Sequence, residues 1–382
     1  MVCLLLTGWI FICEKQIQKE LYDQQMATRW SKDGKTAQIS AFFAENAIES
    51  VDYFKEISMS VDNALKEASI VQENENARLW IDAVSRSGKI VLSNQRATME
   101  LNAIGVEGDF FQFHPLKLVS GSLFSGDSMM KDGIVIDEET AWQLFGSSDV
   151  AGMQVMIGQV PHFISGVIER PKGRLYEAAG LGKPMCYLSM ESLEKYGTRE
   201  GGFTYEIVMP NPIKSFAMST MQNIFGNTNE NVVILENGIR YQALTLLKLV
   251  PKFGTRSMSL KGIVFPYWEN VARGNEDILV LTLLFKIILL VAPVFFVIRV
   301  SFYYWKKRTW TVRKGISLLQ DKIYEFSSKR AQKKQKEQCK QEDRQKLEED
   351  KSTKIESVEE KTEVEEHLLT QLQEEGKETE TV

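Results

Sequence analysis

The sequence predicts an α+β domain carried outside a membrane, flanked by two transmembrane helices and followed by a charged, partly disordered cytoplasmic tail. Three observations lead there: a long apolar run late in the chain, alternating strand-like and helix-like stretches before it, and opposite charges sorted into separate blocks after it. At 382 residues the chain exceeds one average domain. Its 43% hydrophobic content and mean hydropathy of −0.20 describe an ordinary globular protein only on average. The formal charge of −5 conceals the sorting. Lys306 to Lys340 carries 12 Lys/Arg against 3 Asp/Glu, and Gln341 to Val382 carries 6 against 15.

The apolar run is Ile278 to Tyr304, ILVLTLLFKIILLVAPVFFVIRVSFYY. As a helix at about 1.5 Å per residue it exceeds the roughly 30 Å of a bilayer's hydrocarbon core. Trp305, Lys306, Lys307 and Arg308 follow it, an aromatic and basic collar of the cytoplasmic type. Arg299 is near enough to that collar to snorkel. Lys286 sits deeper, where a lysine costs roughly 2.5 to 3.5 kcal/mol, so it either snorkels or faces a partner helix.

The N-terminal MVCLLLTGWIFIC spans only about 18 Å as a helix and lacks the basic start and cleavage site of a signal peptide. It is expected to be the outer end of a first transmembrane helix whose beginning lies upstream of this sequence. The expected organisation is therefore 1–13 as a first transmembrane helix, 14–277 as the extracytoplasmic domain, 278–304 as a second transmembrane helix and 305–382 as the tail. Cys3, Cys13, Cys186 and Cys339 imply no disulfide framework and leave the redox compartment open.

Within 14–277, a strand is expected from Thr36. A helix with Val51, Phe54, Ile57, Val61 and Leu65 on one face follows, and then another strand before Val71. Arg78–Val84 and Lys89–Ser93 read as a hairpin turning at Ser85-Arg86-Ser87-Gly88. Gly133–Asp137 reads as a buried strand and Glu138–Phe145 as a helix closed by Gly146. Val155–Gly158 and His162–Ile168 read as a second hairpin, with further strands at Cys186–Leu188 and Tyr205–Met209. Phe253 to Arg273 should be ordered, with Phe265, Tyr267 and Trp268 at the membrane interface, docking the domain on the helices, or in ordinary core packing.

Three stretches carry a resemblance: DFFQFHPLKLVSGSLFSGD from Asp109, GIVIDEETAWQLFGSSDVAGMQVMIG from Gly133 and FISGVIE ending at Glu169. Gly121-Ser122-Leu123-Phe124, Leu144-Phe145-Gly146, Val150-Ala151-Gly152 and Ser165-Gly166-Val167 occur in an order that resembles the MacB-like periplasmic core domain of FtsX/MacB-type ABC transporter permeases. Ser122 stands where that family often has arginine, and Ala151 where it often has isoleucine or leucine. The resemblance implies structural roles for these residues. The family pattern continues with two further transmembrane helices, whereas this chain runs from Tyr304 into a hydrophilic tail.

No catalytic, cofactor-binding or metal-binding residue is expected. His114, His162 and His367 are far apart and outside any zinc pattern. Gly88-Lys89 lacks the remainder of a phosphate loop, and no nucleophile elbow is present. The resemblance implies transport or mechanotransmission coupled to a separate ABC ATPase, with other permease subunits or a homo-oligomer as further partners. The alternative is a membrane-tethered binding or scaffold protein. Lipid contact is expected for Lys306–Lys314, a coiled-coil or largely disordered character for the rest of the tail, and no contact with nucleic acid.

Overall fold

The computed structural model describes residues 2–72, 74, 77–226, 230–253, 256, 259–260, 262–307, 316–317, 319–333 and 336. The chain divides into two compact units, Met1–Phe295 and Phe296–Val382. In the second unit, 296–307 end the long helix and 319–333 are helical and solvent-exposed. Most of the Lys306–Lys314 lipid-contact segment, and most of the tail after it for which a coiled coil is expected, lie outside the described residues.

In chain order the first unit begins with α1 (Val2–Glu20), α2 (Met26–Trp30), β1 (Thr36–Phe43), α3 (Tyr53–Glu67), β2 (Ile81–Ser93), β3 (Thr98–Gly108) and α4 (Phe110–Phe113). There follow β4 (Lys117–Gly121), β5 (Gly133–Asp137), α5 (Glu138–Phe145), β6 (Gln154–Ile157), β7 (Val160–Glu169) and α6 (Arg174–Tyr176). The remainder is β8 (Met185–Ser189), α7 (Met190–Tyr196), β9 (Thr198–Pro210), α8 (Phe216–Phe225), β10 (Val232–Glu236), α9 (Ala243–Leu247), the short pair β11 (Ser259–Leu260) and β12 (Ile263–Val264), and α10 (Tyr267–Lys307).

The main sheet runs β10-β1-β9-β2-β3-β8-β5-β7-β4. Because β6 pairs with both β2 and β7, the strands β2-β3-β8-β5-β7-β6 close a ring. Ile90, Leu92, Ile134, Ile136, Val155, Ile164 and Leu188 fill its centre, with α5 and α7 contributing Leu144 and Leu193. The open part of the sheet carries α3 and α8 on one face, where Ile39, Ala41, Phe54, Val61, Tyr205, Ile207 and Met221 pack. On the other face α2, α4 and the first turn of α10 pack through Met26, Phe110, Phe113, Tyr267 and Trp268.

Several expectations hold. The α3 face buries Phe54, Ile57, Val61 and Leu65, spaced by three and four. Asp137 caps α5 by accepting from Thr140 N at 2.7 Å, and Gly146 closes it in the left-handed conformation. Two others fail. No strand follows α3, since 68–71 is a turn and coil. Ser85–Gly88 is not a hairpin turn but the middle of β2, paired with β3 on one side and β9 on the other.

The residues resemble turn chemistry, yet each has a reason to be extended. Arg86 is buried, donates to Gly201 O at 3.0 Å and lies over the Phe203 ring. Gly88 passes so close to β9 that a Cβ there would sit 2.4 Å from Thr198 O. The bulge between Arg86 and Gly88 is where β2 leaves the open sheet for the ring. The real turn is at Asn94, whose side-chain oxygen accepts from the backbone N–H of Arg96 and Ala97 at 2.8 Å each.

The apolar run expected from Ile278 is the C-terminal part of a longer helix. α10 starts at Tyr267, inside the domain core, and continues without a break to Lys307. Among the described residues it is the one helix long and apolar enough to cross a membrane. Similarly, α1 runs through Glu14 to Glu20. Phe265, Tyr267 and Trp268 are buried, which selects core packing over a membrane-interface position.

The ordered motifs are structural. Gly121 and Gly166 face each other across β4 and β7. A Cβ on Gly166 would meet Ser122 O at 2.6 Å, and one on Gly121 would meet Ser165 O at 2.3 Å. Gly166→Val is expected to destabilise the domain by about 1–3 kcal/mol through overpacking, seen as a lower thermal midpoint in tryptophan fluorescence. An unchanged midpoint would contradict the packing described.

Candidate functional site

Strand alternation puts Gln38 and Ser40 of β1, and Thr204 and Glu206 of β9, on the sheet face opposite α3 and α8. On a half-solvated sheet that face would meet water. Here all four side chains are buried, because the turn after α1, α2, α4 and the start of α10 cover them. A buried polar group must find a partner: Ser40 and Glu206 find each other, and Gln38 finds backbone groups of the N-terminal segment.

The network begins at His114, just past α4 and wholly buried. Its Nδ1 lies 2.8 Å from Asp23 Oδ1 and its Nε2 2.5 Å from Glu206 Oε2. Burial works against the charged ring, but the negative charge of Glu206 and the hydrogen bonds to Asp23 and Glu206 outweigh it, holding the imidazole up to about 9. The ring is an imidazolium donating from both nitrogens, packed against Phe110 and Trp268 with ring centroids 4.5 and 4.2 Å away.

The second oxygen of Glu206 accepts from Ser40 Oγ at 2.8 Å, and Ser40 Oγ accepts from Asn237 Nδ2 at 2.9 Å. Asn237 Oδ1 accepts from Arg240 Nη1 at 3.1 Å. Arg240, 5% exposed, then clamps α10. It grips Glu269 with two hydrogen bonds of 2.7 and 2.8 Å and donates from Nε to Glu276 at 2.5 Å. Glu269 and Glu276 are seven residues apart, two turns on one helix face. Burial disfavours the Arg240 charge, but Glu269 and Glu276 hold the guanidinium well above its ordinary range. Arg256 extends the cluster to Glu276 and, at 2.7 Å, to Asp277.

Further along α10, Thr282 Oγ1 donates to Glu14 Oε1 at 2.7 Å and Lys286 pairs with the other oxygen of Glu14. Lys286 therefore meets a partner helix, α1, the second of its two expected alternatives. Gln38 joins the N-terminal segment to β1 by donating to Asp23 O at 2.6 Å and accepting from Met26 N at 2.8 Å. Tyr187 and Tyr267 share a hydroxyl contact of 3.0 Å beneath the helix start.

Sequence reasoning named Lys286 and the Phe253–Arg273 stretch, which contains Glu269, but gave no role to His114, Glu206, Arg240 or Glu276. The available signal was charge on inward-facing positions of strand-like and apolar stretches: Glu206 within TYEIVMP, and Glu269 and Glu276 ahead of the apolar run. Chemically the cluster clamps. Every cation in it is matched to carboxylates, and His114 and Arg240 are buried.

The folded pKa of His114 lies above its unfolded value of 6.5. Its contribution to stability is therefore fully present below 6.5 and lost as pH rises through about 9. The melting midpoint is expected to fall between those pH values in the wild type and to fall less in His114→Gln. That variant should also lose about 3–5 kcal/mol at neutral pH, because Glu206 is left buried without its cation. Parallel pH slopes for the two proteins would refute the assignment.

The family model described as MacB-like periplasmic core domain matches residues 23–239. Both ends of that match fall at the network, Asp23 at one and Ile239, beside Arg240, at the other. Among curated relatives, the Macrolide export ATP-binding/permease protein MacB of Chromobacterium violaceum is 29% identical over 99 residues, 25% of this chain and 15% of that protein. The protein of the same name from Pasteurella multocida is 36% identical over 76 residues, 19% and 12% of the two chains. The matched region thus spans less than a sixth of these relatives' length.

Among solved structures, the periplasmic region of MacB from Actinobacillus actinomycetemcomitans is 15% identical with a TM-score of 0.37, covering 54% of this chain and 92% of that one. The extracellular domain of the noncanonic ABC-type transporter YknZ from Gram-positive bacteria is 14% identical with a TM-score of 0.33, covering 52% and 99%.

Proposed function

From the premise that this chain belongs to the MacB-like periplasmic core domain family, as residues 23–239 establish, we propose that it is a membrane subunit coupling its outer domain to a separate ABC ATPase. In this reading residues 1–13, within α1, and 278–304, within α10, cross the membrane, 14–277 lies outside and the tail from residue 305 lies in the cytoplasm. The chain performs no catalysis of its own, ATP hydrolysis belonging to the partner. Further permease subunits or a second copy complete the assembly, and lipids surround the helices.

The observation that carries the reading is the Arg240 clamp on Glu269 and Glu276. It fastens the domain to the same uninterrupted helix that supplies the apolar stretch. Tilting α10 against the domain would pull a buried arginine from its carboxylates, which costs several kcal/mol. Domain and helix therefore move together, and force applied to one end of the helix reaches the sheet through Asn237, Ser40 and Glu206.

A tethered binding protein is the second reading, favoured by a cavity of about 690 Å³ between β10, α8, α9 and α10. Met218, Val233, Leu235 and Leu249 wall it, with Arg240 and Glu269 at its base, a size and character suited to a small ligand.

Gentle detergent extraction of the full-length protein from its native membrane, followed by mass spectrometry of co-purifying proteins, separates the two. Recovery of an ATP-binding cassette protein supports coupling; repeated recovery without one removes it in favour of a tethered binder. Where the partner is recovered, Arg240→Met is expected to keep the complex together while slowing its ATP turnover about tenfold, equivalent to roughly 1.4 kcal/mol on the barrier.

A further inference from the structure

β10 is the last strand of the main sheet and pairs with β1 along one edge only. Among the described residues nothing hydrogen-bonds the backbone of Val232–Leu235 from the other side. The cavity between β10, α8, α9 and α10 is lined by Val233, Ile234, Leu235 and Glu236, four successive residues. Successive side chains of a strand point to opposite faces. Ile234 turns to the core formed with α3 and α8, while Val233 and Leu235 turn to that of Phe42, Ile263 and Phe265. A cavity that touches all four therefore borders the edge of the strand, where every second residue of an antiparallel strand directs its N–H and C=O outward.

Sheet edges are ordinarily guarded against pairing. β4, at the opposite end of the sheet, carries Lys117 and a bulge between Leu118 and Ser120. β10 has neither device. Its sequence VVILE pairs with β1 in continuous register, and its one charge stands at the end. The guard on this side is the wall opposite, built from Met218 of α8, Thr245 of α9 and Leu249 just beyond it. A four-residue strand fills about 600 Å³ at ordinary strand and sheet spacings. The cavity, of about 690 Å³, has room for one such strand but not for the sheet of a second copy.

We propose that this cavity binds an extended peptide segment of another protein, which adds to the sheet by pairing its main chain with the free edge of β10. Main-chain hydrogen bonds supply the affinity, and an apolar side chain at alternate positions meets Met218 on the α8 face. The proposal deepens the tethered-binding reading by giving its cavity a ligand class.

The test is fluorescence anisotropy of the full-length protein in detergent, with a labelled pentapeptide of alternating valine and threonine capped at both ends. Saturable binding of one peptide per chain is expected. The same peptide N-methylated at every residue keeps each side chain but has no N–H to donate. It should bind about tenfold more weakly or worse, the loss of roughly two main-chain hydrogen bonds. Thr245→Trp narrows the cavity from the wall facing β10 and should weaken binding of the unmethylated peptide by a similar factor. Thr245 is exposed, so the variant should melt with the wild type; the N-methyl comparison needs no variant and decides the matter alone.

No binding, equal binding of the two peptides, or undiminished binding in Thr245→Trp overturns the proposal. So does a wild-type dimer that Thr245→Trp converts to a monomer, which would assign the edge to a second copy. Any of these removes the peptide and leaves the tethered-binding reading to be decided by the pull-down, so the two fail separately.

Discussion

Two cations, His114 and Arg240, are each buried between two carboxylates, and the arrangement of the first unit depends on keeping them so. A desolvated charge is tolerable only when matched and hydrogen-bonded. His114 requires Asp23 from the turn after α1 and Glu206 from the middle of β9. Arg240 requires Glu269 and Glu276 from α10. Ser40 and Asn237 join the two centres. Segments more than a hundred residues apart in sequence are thereby held in one register.

Apolar packing alone would position α10 less specifically. The aromatic cluster of Phe110, Phe113, Tyr187, Tyr267 and Trp268 supplies area, and area is not directional. The bidentate contact of Arg240 with Glu269 adds direction, since a planar guanidinium accepts a carboxylate in few geometries. The helix consequently enters the domain at a defined rotation, which also faces Thr282 and Lys286 toward Glu14 on α1. One geometric choice at the domain base is thus carried along the helix into its apolar part. A half-buried lysine opposite a buried glutamate keeps the two helices in step.

Much of the fold was legible. The spacing of Phe54, Ile57, Val61 and Leu65 marked α3, and Asp137 and Gly146 bracketed α5, because those signals are local: a periodicity, a cap, a left-handed terminus. The misreading at Ser85–Gly88 has a physical cause. Ser, Arg and Gly in succession satisfy a turn, yet they equally satisfy a strand whose arginine has Gly201 O and the Phe203 ring to reach. Only the neighbour β9 decides between them. The charged Glu14 likewise marked the end of an apolar run, although the helix continues because Lys286 and Thr282 await it.

The sequence by itself determined the family resemblance, the apolar length of Ile278–Tyr304, the separation of charge after it, and the strand and helix periods of the core. These follow from composition and spacing along the chain. The tertiary structure alone decided that the polar side of β1 and β9 faces the protein interior, that His114 is charged, and that Arg240 belongs with Glu269 and Glu276. Alternation shows that Ser40 and Glu206 point away from Ile39 and Ile207, but whether that direction holds water or protein depends on segments folding back from both ends of the chain. A buried ion pair between distant residues has no local spacing to announce it, so the site became visible only when the ends met.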